Sequence, residues 1–97
     1  MDRRRRSMPS DEQVALRQQA IDDVLAHPEW SLRDAIRHLK RHSLITSDEL
    51  ARLSGVSLRA VRDIEQGRSE GTVQTVNRIL GVLGLKLGVV WRYKLLD

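Results

Sequence analysis

The chain has 97 residues, 40% hydrophobic and 31% charged, a composition that suits one globular domain with a limited core and leaves room for help from a second subunit. No apolar run approaches the roughly 20 residues of a membrane span, and with no cysteine there can be neither a disulfide framework nor a cysteine-built zinc site. A net charge of +4 suits a polyanionic partner, and because Arg3–Arg6 lead into no apolar stretch, a soluble cytoplasmic protein without a signal peptide is expected.

The charge is unevenly placed. Residues 1–9 carry four arginines against Asp2, residues 10–30 carry Arg17 against Asp11, Glu12, Asp22, Asp23 and Glu29, and residues 31–97 carry twelve cations against seven anions. The acidic middle segment is therefore unsuited to a polyanion, and the basic excess lies on either side of it. The first nine residues lack apolar periodicity and cannot offset the entropy of ordering, so they are expected to form a disordered basic arm. Such an arm either grips phosphates or remains a solvated tail.

Residues 10–27 read as an accessory helix. Ser10 is its N-cap, Gln13 completes a capping box, and Asp11 and Glu12 suit the positive helix end. Val14, Ile21, Val24 and Leu25 share a face that must cover the next domain, a second subunit or another protein, and Pro28 ends the helix. From Ser31 to Gly84, four cap signals each precede a short apolar stripe. Ser31 with Asp34 opens a helix with Leu32, Ala35, Ile36 and Leu39 in phase, and Thr46 with Glu49 forms a capping box stapled by Ile45 and Leu50. Ser57 caps a third helix, stapled by Val56 and Val61. Thr72 caps a fourth, with Val73, Val76, Ile79, Leu80 and Leu83, which Gly84 ends. Beyond it the period falls to two. Leu85, Leu87, Val89, Trp91 and Tyr93 alternate with polar or small positions over residues 85–94, as in a strand. A lone strand leaves its backbone groups unpaired, so pairing with its own copy across a two-fold axis is expected, with Leu85, Leu87, Val89 and Trp91 as the dimerisation set. A frayed tail, or a strand offered to another protein, are the alternatives.

Between Thr46 and Gly67, two capped helices are joined through Leu53, Ser54, Gly55 and Val56, the turn length of a helix-turn-helix. Such a tight crossing needs small residues at the contact, which Ala51 and Gly55 supply. With Leu50, Val61 and Ile64 turned inward, Leu58, Arg59, Arg62 and Asp63 are left exposed. Arginine pairs with guanine in the major groove and leucine can touch a thymine methyl, so these four are the candidate base-contacting residues. Ser47, Ser57 and Arg68, with the amides of the two helix starts, are the candidate phosphate contacts. A merely solvated face is the alternative for Arg59 and Arg62.

This stretch, ITSDELARLSGVSLRAVRDIEQG, resembles the Cro/repressor-type (Xre) helix-turn-helix in its Leu50-Ala51, Gly55-Val56-Ser57 and Ile64-to-Gly67 landmarks. Residues 72–90 extend the likeness, and the glycine-rich strand is similar to HipB-type antitoxins. The resemblance implies a mainly α, lambda-repressor-like bundle, here with an extra N-terminal helix and one strand pairing across a dimer. It also implies a homodimer that binds double-stranded operator DNA and a toxin kinase or accessory protein. Repression of transcription, autoregulatory in a HipA-like toxin-antitoxin operon, is the expected function, and a partner-masking antitoxin or adaptor, or a stand-alone regulator, the alternative. Glutamine, common in the family where Ser47 stands, is missing, so that phosphate contact must be shorter or be made by backbone.

Other chemistry finds little support. His38 and His42 have the i, i+4 spacing of two metal ligands but lack an evident third, so a solvated basic face is expected. No nucleophile, base and orienting group recur in a recognisable arrangement, and neither enzymatic activity nor a cofactor or metal is expected. Aromatic residues at 3% are too few for a base-stacking platform.

Overall fold

The computed structural model describes residues 10–90 and contains five helices, α1 (Asp11–Ala26), α2 (Leu32–His42), α3 (Ser47–Ser54), α4 (Leu58–Glu65) and α5 (Val73–Gly81). All five begin at the expected cap: the hydroxyls of Ser10, Ser31, Thr46, Ser57 and Thr72 each accept the amide three residues on. Only at Thr46 is the capping box reciprocal, with Glu49 returning to the Thr46 amide at 3.0 Å. At Ser10 it is half made, because the Gln13 side chain instead donates across to the Ser43 carbonyl at 3.3 Å.

The core is built by Ile36 and Leu39 of α2, Leu50 and Ala51 of α3, Val61 and Ile64 of α4, and Val76, Ile79 and Leu80 of α5. Ile45 and Val56 join it from the turns, so both staple pairs are buried. Helix α1 lies on α2 and contributes Ala20, which is fully buried, with Ile21 and Val24 packed beside it. Of the four residues expected on its apolar face, Val14 (50% exposed) and Leu25 (64%) turn outward. The seat is rotated because the N-terminal half of α1 meets the polar end of α2, where Gln13 finds a carbonyl and valine would find none.

The α1–α2 seam also takes up the histidines. His38 Nε2 lies 2.9 Å from Asp23, its ring stacks on His42 with centroids 4.0 Å apart, and Trp30 bridges His38 to His27. His38 is thereby half-buried at the helix junction, whereas His42 stays exposed, as expected of a solvated face. Hydrogen bonds from Gln19 and then from His38 hold the Asp23 carboxyl below its ordinary value of 3.8. A carboxylate lowered in the folded state stabilises the fold above its unfolded pKa, and the contribution disappears as pH falls through the folded value. Asp23→Asn should accordingly have a lower urea midpoint than wild type at neutral pH, with the difference closing below about pH 4; a constant difference would exclude the carboxylate as its cause.

Several turns are closed by a left-handed residue. Gly84 (φ +79°) ends the α5 turn, with the Leu85 amide bonded back to Leu80, but the same position after α2 is held by Leu44 at φ +60°. There the Ile45 amide returns to the Lys40 carbonyl at 3.1 Å, which completes the cap at the expense of strain in a residue with a Cβ. Its side chain is 61% exposed, so little packing opposes a change. Leu44→Gly should raise stability by about 0.5–1 kcal/mol, the relieved strain outweighing the added chain entropy of glycine. A lower urea midpoint in that variant would contradict the account.

After α5 the chain runs over the core. Leu85 and Leu87 pack against it and the Leu87 amide bonds to Asn77 Oδ1 at 2.7 Å, whereas Val89 and Val90 are exposed. Residues 85–90 form no strand, since among the described residues no ladder partner lies beside them. Half of the expected dimerisation set, Leu85 and Leu87, thus covers the chain's own core; Val89 is free to pair, and Trp91 lies outside the described residues.

Candidate nucleic-acid interface

Helices α3 and α4 pack across the turn at Gly55, whose φ of +75° lets α3 stop and α4 start within three residues. Its importance is conformational: a Cβ built there would meet nothing within 4 Å. The close approach expected at Gly55 is thus not made, while Ala51, the other small residue, is buried in the core.

The N-terminal half of α4 projects from this joint. Arg59 has a side chain 91% exposed, Arg62 is exposed, and Leu58 is half-buried with its base packed on the core. No acidic residue occupies the first turn of α4, so its positive end is reinforced by Arg59 where a stable helix favours the opposite charge. A helix that begins this way gains by meeting an anion. Ser57 is exposed, and its hydroxyl accepts from Ala60 while keeping a proton to donate.

Asp63 is engaged within the protein. Its carboxylate receives Arg68 at 2.9 and 3.0 Å and stands 4.0 Å from Arg59, and its carbonyl accepts the amides of Arg68 and Ser69. It holds the loop after α4 so that Arg68 lies on the same side as Arg59. Arg68 also meets the Gln66 side chain.

Ser47 is turned inward. Its hydroxyl donates to Glu65 at 3.0 Å and accepts from Lys40 Nζ at 3.1 Å, and the start of α3 is otherwise occupied by Asp48, Glu49 and the reciprocal cap. What it offers an outside phosphate is its backbone amide, not its side chain. Lys40 and Glu65 complete the group at 3.1 Å, with the Glu65 side chain only 10% exposed, and Arg33 Nε donates to the Glu65 carbonyl at 3.2 Å. This network ties the C-terminal end of α4 to α2 and to the first residue of α3. Neither Lys40 nor Glu65 is among the residues predicted from sequence; the available signal was that Glu65 falls at i+4 from Val61 and i+1 from Ile64, on the buried side of α4.

Arg59, Arg62, Ser57 and Arg68 are thus brought to one side of the α3–α4 unit, with Leu58 at its edge, while Asp63 and Ser47 serve as supports. Among the described residues no group of three His, Asp or Glu side chains could hold a metal ion, and no helix is long and apolar enough to cross a membrane. Residues 36–90, more than half the chain, match the helix-turn-helix family model. No curated protein and no solved structure matches the chain.

Proposed function

We propose a function from one premise: the chain belongs to the Cro/C1-type (Xre) helix-turn-helix family, and so to the DNA-binding transcription regulators. On this reading it is a sequence-specific repressor that acts as a homodimer and lays α4 in the major groove of a palindromic operator. Arg59 and Arg62 pair with guanine edges, Leu58 touches a thymine methyl, and Ser57 and Arg68 fix the register on phosphates. The observation that carries the reading is the asymmetry of α4: a basic, exposed start on a helix whose other end is pinned by buried Glu65.

Selection from a random duplex library tests it. The expected product is an inverted repeat with half-sites about one helical turn apart, and recovery of no enriched motif would defeat the specific part of the claim. A dimer is favoured by Val89 and Val90, two adjacent valines left 102% and 72% exposed beside a period-two pattern. An antitoxin role toward a kinase rests on the resemblance of the tail to HipB-type proteins. Co-purification with the product of an adjacent kinase-like gene supports that branch, and a chain that sediments as a free dimer in its presence counts against it.

A further inference from the structure

Helix α2 carries Arg33, Arg37, Lys40 and Arg41 at i, i+4, i+7 and i+8, which places them along one face. Lys40 and Arg33 are partly engaged in holding Glu65, but packing does not need Arg37 and Arg41, since α2 buries Ala35, Ile36 and Leu39, and like charges at i, i+4 oppose helix formation. Two recesses adjoin along this face. One, of about 340 Å³, is lined by Arg33, Arg37, Lys40, Arg41, Glu65 and Gln66; the other, of about 310 Å³, lies among Asp34, Arg37, His38, Arg41 and His42. Arg37 and Arg41 form the wall shared by both, and both are exposed.

We propose that Arg37 and Arg41, flanked by Arg33, are a second phosphate-binding surface that grips the backbone of the bound duplex beside the segment read by α4. The proposal rests on the DNA-binding reading above and extends its footprint to a helix outside the helix-turn-helix. Continuity supports it: the first recess runs onto Gln66 at the end of α4, next to the loop that carries Arg68, and Lys40 reaches Ser47 at the start of α3. Dimensions agree as well. From Arg33 to Arg41 the helix rises about 12 Å, the axial span of three or four phosphates on one strand at about 3.4 Å each. Guanidinium groups match phosphate with paired hydrogen bonds. An acidic protein is the less suitable occupant, because neither recess has an apolar lining residue to serve as the anchor that protein interfaces require.

The test is the salt dependence of binding by the full chain to a mixed-sequence duplex, followed by fluorescence anisotropy. Each phosphate contact contributes about 0.9 to the slope of log K against log salt, so Arg37→Ala with Arg41→Ala should flatten it by about 1.8. Affinity should fall alike on specific and mixed-sequence DNA, the thermal midpoint should hold, and the Arg37→Lys, Arg41→Lys variant should recover most of the slope. An unchanged slope in the alanine variant, or a loss confined to specific DNA, overturns the proposal. Wild-type protein that binds no duplex at all overturns the DNA-binding reading, and this surface with it.

Discussion

Replacing both Arg59 and Arg62 with alanine is expected to weaken binding to the selected operator by about 30-fold to 10⁴-fold. Each bidentate arginine–guanine pair contributes about 1–3 kcal/mol of discrimination, and every 1.4 kcal/mol is a factor of ten. The fold should hardly respond. Arg59 is almost fully exposed, and its contact with Asp63 at 4.0 Å is a surface i, i+4 pair of small value. Removing a cation from the first turn of α4 relieves an unfavourable interaction with the helix dipole, which offsets that loss. The decisive comparison sets operator against mixed-sequence DNA in the same variant. A large loss on the first and a small one on the second identifies readers of sequence, and equal losses would reduce the two arginines to phosphate contacts.

Lys40→Met should destabilise the domain by about 3 kcal/mol, the lower end of the range for stranding one member of a buried ion pair, because Lys40 itself keeps 26% of its surface in solvent. Against the 5–15 kcal/mol typical of small domains, this is a large fraction. Glu65 would be left nearly buried with only the Ser47 hydroxyl for company. Adding Glu65→Gln removes the stranded charge and keeps a partner for Ser47, so the double variant should regain a substantial part of the loss in urea midpoint. If Lys40→Met alone cost less than about 0.5 kcal/mol, the network would have no structural role. Operator affinity of the single variant, measured where it is still folded, should also fall, since α4 would lose the anchor that sets its angle to α3.

The parts legible in the sequence are those decided within a few residues. Five caps, two hydrophobic staples and the Gly55 turn depend on neighbours three to five positions away, and all form as read. Sequence patterning says less where a distant residue competes for the same group. Gln13 leaves its own helix start for Ser43, thirty positions away, and Ser47 gives its hydroxyl to Glu65, eighteen away. The periodicity of α4 exposes position 63 but says nothing of the loop beyond the helix, which folds back and engages the Asp63 carboxylate through Arg68. The Lys40–Glu65 pair is separated by 25 residues, and helical periodicity contains no term for it. Leu44 was missed for a different reason. A left-handed turn normally announces itself by glycine, and here the fold imposes the conformation on a residue that resists it.

The division of labour within α4 also determines how such a protein can acquire a new target. Its buried residues are Val61, Ile64 and Glu65, and the residues proposed to read DNA are the exposed Arg59 and Arg62, so the two sets share a helix without sharing positions. On the proposed reading, substitutions at 59 and 62 would alter the message without disturbing the instrument. A lineage could pass from one operator to another through intermediates that all remain folded, and an engineer could randomise the same two positions and retain most of the library.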